Sequence, residues 1–112
     1  MAAEDEELSL VPRLSPDLTG KQRRHLRSLA HDLNPIVLVG QKGLSDNLIE
    51  NFEAALLAHE LVKVKVHDAD ALEETAEAFH AATGAQLAQT IGKMLIFYKE
   101  HPEEPQIRLP RS

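Results

Sequence analysis

The sequence predicts an α/β fold, a compact α-β-α-β-α-β-β domain built on a mixed four-stranded sheet. Three observations carry this. Stripes of apolar residues at helical spacing alternate along the chain with short β-branched runs. Near the end, two strand-like runs flank Gly92-Lys93, the mark of a hairpin. A chain of 112 residues, 43% of them hydrophobic, has the material for one core and not for two.

Residues 1–17 read as an acidic flexible tail. Glu4, Asp5, Glu6 and Glu7 cluster there, and Pro12 and Pro16 interrupt regular structure. Leu8, Leu10, Val11 and Leu14 nevertheless give it apolar side chains to dock on the domain. The domain itself is expected over 18–100. Its first helix opens with Thr19-x-x-Gln22, a capping box in which the Thr oxygen accepts a backbone N–H and the Gln reaches back. Leu26, Leu29, Ala30 and Leu33 then make a buried stripe, and Asn34-Pro35 ends the helix. Lys21, Arg24, Ser28 and His31 lie roughly opposite that stripe, with Arg23 and Arg27 on its flanks, so the solvent face is basic.

Ile36 to Val39 reads as a short buried strand between Pro and Gly. Gly40-Gln41-Lys42-Gly43 follows, and Ser45 is a good N-cap for a helix to about His59 with Leu48, Phe52, Ala55 and Leu56 inward. From Leu61 to Val66 the residues alternate. Val62, Val64 and Val66 point inward, Lys63 and Lys65 outward. Asp68 and Asp70 open a third helix with Leu72, Ala76, Phe79 and Thr83 on one face, Glu73, Glu74 and Glu77 outside, and Gly84 as its C-cap. Leu87–Ile91 and Met94–Tyr98 form the hairpin. Residues 101–112 carry Pro102, Pro105 and Pro110 and read as a second tail, with Ile107 and Leu109 placed to pair at a sheet edge.

Composition narrows the function classes. No Cys is present, which removes disulfides, thiolate nucleophiles and Cys-based metal sites. The acidic start lacks the form of a signal peptide, and no apolar run approaches the length of a membrane span, so a cytoplasmic location is expected. Six histidines are scattered with no i, i+4 pair, so no metal or cofactor is expected. Ser45, His59 and Asp68 supply the residue types of a catalytic triad, but no nucleophile motif frames them, and no enzyme is expected.

The glycine loop is the most informative motif. Two glycines three apart, between a strand and a helix N-cap, let the backbone turn sharply and approach a ligand, and the helix amides with Lys42 favour an anion such as phosphate. The loop lacks the third glycine of a dinucleotide fingerprint and the Lys-Ser/Thr of a P-loop, which argues against a nucleotide cofactor. On spacing alone, a plain βα turn that uses Gly for geometry is the better explanation, since two glycines three apart recur by chance. The net charge of −6 looks unfavourable to a nucleic-acid partner, yet it is unevenly spread. Residues 1–18 and 67–112 each carry −4, and residues 19–66 carry +2. The basic helix, the glycine loop and the lysine strand all lie in the positive segment.

Taken together, the residues resemble a known family, the YhbY-type CRM domain (chloroplast RNA splicing and ribosome maturation domain), found in bacteria as a stand-alone protein. The resemblance is carried by Leu18-Thr19-Gly20-Lys21-Gln22-Arg23-Arg24-His25-Leu26-Arg27, by Leu29-Ala30-His31, and by Pro35-Ile36-Val37-Leu38-Val39-Gly40-Gln41-Lys42-Gly43-Leu44-Ser45. His59-Glu60-Leu61-Val62-Lys63-Val64-Lys65 and Ile91-Gly92-Lys93 through Tyr98-Lys99 complete it. It implies a fold similar to the C-terminal domain of translation initiation factor 3 and a glycine loop similar to the backbone clamp of KH domains. It also implies a non-catalytic RNA-binding protein that associates with ribosomal RNA of large-subunit precursors during ribosome assembly, with ribosomal proteins as further partners. Gly40, Gln41, Lys42 and Gly43 match the family's loop, Lys21, Arg24, Lys63 and Lys65 match its basic positions, and Lys93 follows the hairpin glycine. Arg27 joins these as an RNA-binding candidate on the same helix. Two other readings are open: a protein-interaction module whose acidic third helix and tails dock on a basic ribosomal protein or assembly factor, and a double-stranded DNA binder of similar fold.

Overall fold

The computed structural model describes residues 10–111. Its elements are α1 (Gly20–Ala30), β1 (Val37–Val39), α2 (Asp46–His59), β2 (Leu61–Val66), a 3-10 turn (Ala69–Ala71), α3 (Leu72–Thr83), β3 (Gln86–Ile91) and β4 (Met94–Tyr98). A helical turn over residues 10–13 precedes them. The strands form one sheet in the order β1-β2-β4-β3. β1 runs parallel to β2, and the other two pairings are antiparallel, so the sheet is mixed as predicted.

Local chemistry sets the helix ends. The Gln22 N–H donates to the Thr19 hydroxyl at 3.1 Å while the Thr19 N–H donates to Gln22 Oε1 at 3.0 Å, the expected capping box. Ser45 Oγ accepts from the Leu48 N–H at 3.1 Å and starts α2. Asp68 caps the 3-10 turn, accepting from the Asp70 N–H, and α3 proper begins only at Leu72. Gly84 closes α3 with its N–H on the His80 carbonyl at 2.8 Å.

Two apolar layers sandwich the sheet. On one face α2 and α3 pack against Val62, Val64, Val66, Leu87, Leu95 and Phe97. Phe52 stacks on Phe79 with ring centroids 4.2 Å apart, and Phe97 meets both rings edge-on. On the other face Leu26 and Ala30 of α1 pack against Leu61, Ala88, Ile96 and Tyr98. A bulge between Leu87 and Gln89 interrupts the alternation of β3: Leu87 faces α2 and α3, while Ala88 packs in the α1 layer and the next residue, Gln89, pairs with Ile96 of that same layer.

Three readings of burial need correction. Leu29 and Leu33, expected in the buried stripe of the first helix, are 42% and 40% exposed. The helix ends at Ala30 with a tightened turn, the His31 N–H reaching Ser28, so Leu33 falls beyond it. The strand read over 36–39 is not fully buried. Val37 and Val39 are buried, but Ile36 is exposed and Leu38 is 63% exposed, because β1 is an edge strand and α1 lies chiefly over the other three. Ile107 and Leu109 do not pair at a sheet edge. They pack as irregular chain against the α1 layer.

The terminal segments are tied down where they are described. Leu10, Val11 and Leu14 join the α2–α3 core and Leu18 the α1 layer. The Leu87 N–H donates to the Leu14 carbonyl at 3.1 Å, so this segment covers the outer edge of β3. Arg13 pairs with Glu73 at 2.9 Å and Glu77 at 2.7 Å of α3. The acidic cluster Glu4 to Glu7 and Leu8 lie outside the described residues. At the other end, Gln22 Nε2 donates to the Pro110 carbonyl at 2.9 Å.

Glu60 organises the C-terminal segment. It ends α2 at φ +63° and is 2% exposed. Its carboxylate accepts three backbone N–H bonds, from His101 at 2.8 Å, Gln106 at 2.7 Å and Ile107 at 2.8 Å. Burial alone would raise its pKa. The three donors and the neighbouring His101 outweigh that and hold the carboxyl below its ordinary 4.5. The same burial acts unopposed on Tyr98, whose hydroxyl is pushed up to about 12 with the charges of Glu100 and Glu60 adding to the shift.

A carboxyl with a depressed folded pKa stabilises fully above its unfolded value and loses that contribution as pH falls through the folded one. Glu60→Gln keeps the size but turns one accepting oxygen into a donor facing N–H groups. It should cost about 2 kcal/mol near neutral pH. In urea melts the gap between wild type and variant should narrow as the pH falls below the ordinary carboxyl value of 4.5 and on through the lower folded one.

Candidate nucleic-acid interface

The glycine loop sits where β1 ends and α2 begins. The Gly43 N–H closes a turn on the Gly40 carbonyl at 3.0 Å, and Gly43 adopts φ +76°, a conformation that L side chains rarely take. Gly40 is different. It has no positive φ, and a Cβ built on it would meet nothing within 4 Å. The fold therefore requires a glycine at 43 and not at 40. Gln41 and Lys42, at the tip, are exposed. Asp46 in the first turn of α2 already presents a negative charge to the positive end of that helix, so the loop itself is the better cradle for an anion.

Sheet topology decides what lies beside the loop. Because β1 and β2 are parallel, the end of β1 lies at the end of β2, and the His67 N–H donates to the Val39 carbonyl at 2.9 Å. Antiparallel β4 begins at this same end, and the Val66 N–H donates to the Lys93 carbonyl at 2.9 Å. The glycine loop and the hairpin turn with Lys93 thus share one end of the sheet. Lys65 pairs with Leu38, two residues before the loop, and with Met94, directly after Lys93. Lys63 pairs with Ile96, which is buried in the α1 layer, so Lys63 and Lys65 lie on the face that α1 partly covers.

Lys21, Arg24 and Arg27 are exposed on α1. The C-terminal segment occupies the flank of the helix that carries Gln22 and Leu29, where Ile107, Leu29, Leu33, Ile36 and Lys63 line a shallow groove. Arg23, expected on the edge of the basic surface, is half-buried and donates to the Leu18 carbonyl at 2.8 Å, so it serves the fold. The structure brings the loop, Lys65 and Lys93 to one end of the sheet and puts α1 with its basic side chains across the other half of the same face.

Other chemistry finds less support in the geometry. Ser45 and His59 stand at opposite ends of α2, about 20 Å apart along the helix axis. Ser45 Oγ is committed to its cap. Among the described residues no group of three or more His, Asp or Glu side chains is gathered to hold a metal ion, and no helix is long and apolar enough to cross a membrane. Sequence reading missed Glu60 as a structural centre, and it missed the exposure of Leu38 beside the loop.

The two glycines should respond differently to the same change. Gly43→Ala should destabilise the domain by about 1 kcal/mol, because the left-handed conformation clashes with a Cβ. Gly40→Ala should leave the melting temperature within error of wild type. Thermal denaturation followed by circular dichroism separates the two.

The CRS1/YhbY (CRM) domain family matches residues 18–99. The Bacillus subtilis protein named probable RNA-binding protein YqeI is 47% identical over 95 residues, 83% of this chain and 99% of its own. A Haemophilus influenzae protein named RNA-binding protein is 44% identical over 99 residues, 85% of this chain and 97% of its own. The solution structure of SAV1595 from Staphylococcus aureus superposes with a TM-score of 0.72 at 43% identity, covering 83% of this chain and 99% of that one. The match over residues 18–99 and these relatives place the chain in the CRS1/YhbY (CRM) domain family.

Proposed function

We propose that this protein binds RNA without catalysis, through the glycine loop and the basic face beside it, and that its target is ribosomal RNA of large-subunit precursors during ribosome assembly. The observation that carries this reading is Gly40. It is a glycine that the fold does not require, at the end of the sheet where Lys65 and Lys93 also lie. A ligand whose backbone approaches closely accounts for it, as in loops that clamp nucleic-acid backbones. Gln41 and Lys42 would meet the phosphates at the tip of the loop. Lys63, Lys65 and Lys93 would extend the track along the sheet, and Lys21, Arg24 and Arg27 along α1. The names of the relatives point to RNA, and the family resemblance supports a ribosomal target.

The rival reading, an acidic helix docking on a basic protein, is weakened by Arg13, which already engages Glu73 and Glu77 within this chain. A non-catalytic role fits a site of exposed basic residues whose contacts would be to phosphates and sugars.

Gln41→Asp combined with Lys42→Asp should abolish binding to a precursor ribosomal RNA fragment in gel-shift titrations while the melting temperature is kept. The wild-type affinity should fall with salt at a log–log slope of about −3 to −4, corresponding to roughly four to six phosphate contacts on single strands. A flat salt response, or unchanged affinity in the variant, would refute the loop mechanism. In cell extract, crosslinks from the wild type should map to large-subunit ribosomal RNA and vanish in the double variant. Crosslinks concentrated on other RNAs would remove the ribosomal assignment.

A further inference from the structure

Strand register places Leu38, Lys65, Met94 and Ile91 in a single row across all four strands. The adjacent row is Lys63, Ile96 and Gln89. Ile96 is buried beneath α1, which fixes both rows on the α1 face. The helix covers the sheet only as far as this adjacent row, and the row beyond it is open. Leu38 is 63% exposed, Ile91 is 43% exposed and Met94 is half-buried. Their immediate neighbours along the strands, Val37, Val39, Thr90 and Leu95, are all buried on the opposite face.

Isolated apolar residues on a surface need no explanation, but three aligned by register on three strands form a patch. With strands about 4.8 Å apart the row spans about 14 Å. Its ends meet the two loops already described. Gly40 comes two residues after Leu38, and Gly92-Lys93 connects Ile91 to Met94. Lys65 stands inside the row, Lys63 stands beside it, and neither row contains an Asp or Glu.

Charge decides the occupant. A second copy of this chain, packed face to face about a two-fold axis, would bring Lys65 toward Lys65. A polyanion with apolar rings suits both components of the row. Building on the reading that RNA binds this face, we infer that the row is a floor for the unpaired bases of single-stranded RNA. Leu38, Met94 and Ile91 contact base faces, and Lys65 and Lys93 hold the phosphates between them. A duplex hides its base faces by stacking and cannot use this floor, so the row makes the protein selective for single strands.

Leu38→Thr with Ile91→Thr tests this, since both side chains are exposed and Thr keeps the strand preference. The full chain is titrated with a single-stranded ribosomal RNA fragment and with the same fragment annealed to its complement. The double variant should lose about five-fold in affinity for the single strand and nothing for the duplex. The log–log salt slope should not change, because no charge has been removed. Equal affinities of wild type and variant for the single strand, or equal losses on both RNAs, would overturn the floor while leaving RNA binding in place. A change in sedimentation with unchanged RNA affinity would overturn it in favour of self-association. Failure of the wild type to bind either RNA would overturn the RNA reading itself, and the floor with it.

Discussion

The buried carboxylate of Glu60 is the point at which the chain's distant parts are joined. It ends α2, stands directly before β2 and gathers the backbone of residues 101–107 around two oxygens. The Lys99 N–H donates to its carbonyl at 2.9 Å, so the end of β4 is tied to the same residue. A charge taken out of water is tolerated only when its oxygens are paired, and here the partners are main-chain groups that would otherwise be unsatisfied. The arrangement solves two problems at once. It keeps irregular chain on the surface of a small domain, and that chain in turn covers the flank of α1 with Ile107 and Leu109.

That cover also shapes the basic face. With the C-terminal segment on one flank, α1 is held across β2, β3 and β4 and leaves the far half of the sheet bare. The open region is therefore a product of packing at the opposite end, not of any feature of the lysines themselves. Lys63 and Lys65 stand on β2, an interior strand, and under a fully covered sheet their charges would be buried. They become candidates for ligand contact because the helix above them stops short.

Much of the fold was legible because its signals are local. The capping box at Thr19, the cap at Ser45, the alternation of Val62, Val64 and Val66 and the Gly92-Lys93 turn each depend on residues a few positions apart. What could not be read depends on partners far along the chain. Leu29 shows a perfect helical spacing, but spacing does not report how much of a stripe its neighbours cover. Leu38 sits in a three-residue strand, too short to display an alternation. The role of Glu60 rests on donors more than forty residues away. Of the candidate site, the residue types were visible, as was the grouping of all but Lys93 in the positive segment. Their division between the loop end of the sheet and the outer face of α1, and the diversion of Arg23 to a carbonyl, required the tertiary structure.

The sheet also divides the molecule electrically. Lys63 and Lys65 lie on the face shared with α1, while Glu73, Glu74 and Glu77 belong to the helix packed on the opposite face. A protein of net charge −6 is repelled as a whole by a polyanion at long range, yet it carries a transverse dipole that turns its positive side forward as the two approach. With such a partner, wrong-way encounters would be pushed apart before contact, and correctly turned ones drawn in only within about a Debye length. With a nucleic acid as partner, the division would act on the rate and orientation of encounter more than on the strength of the final complex.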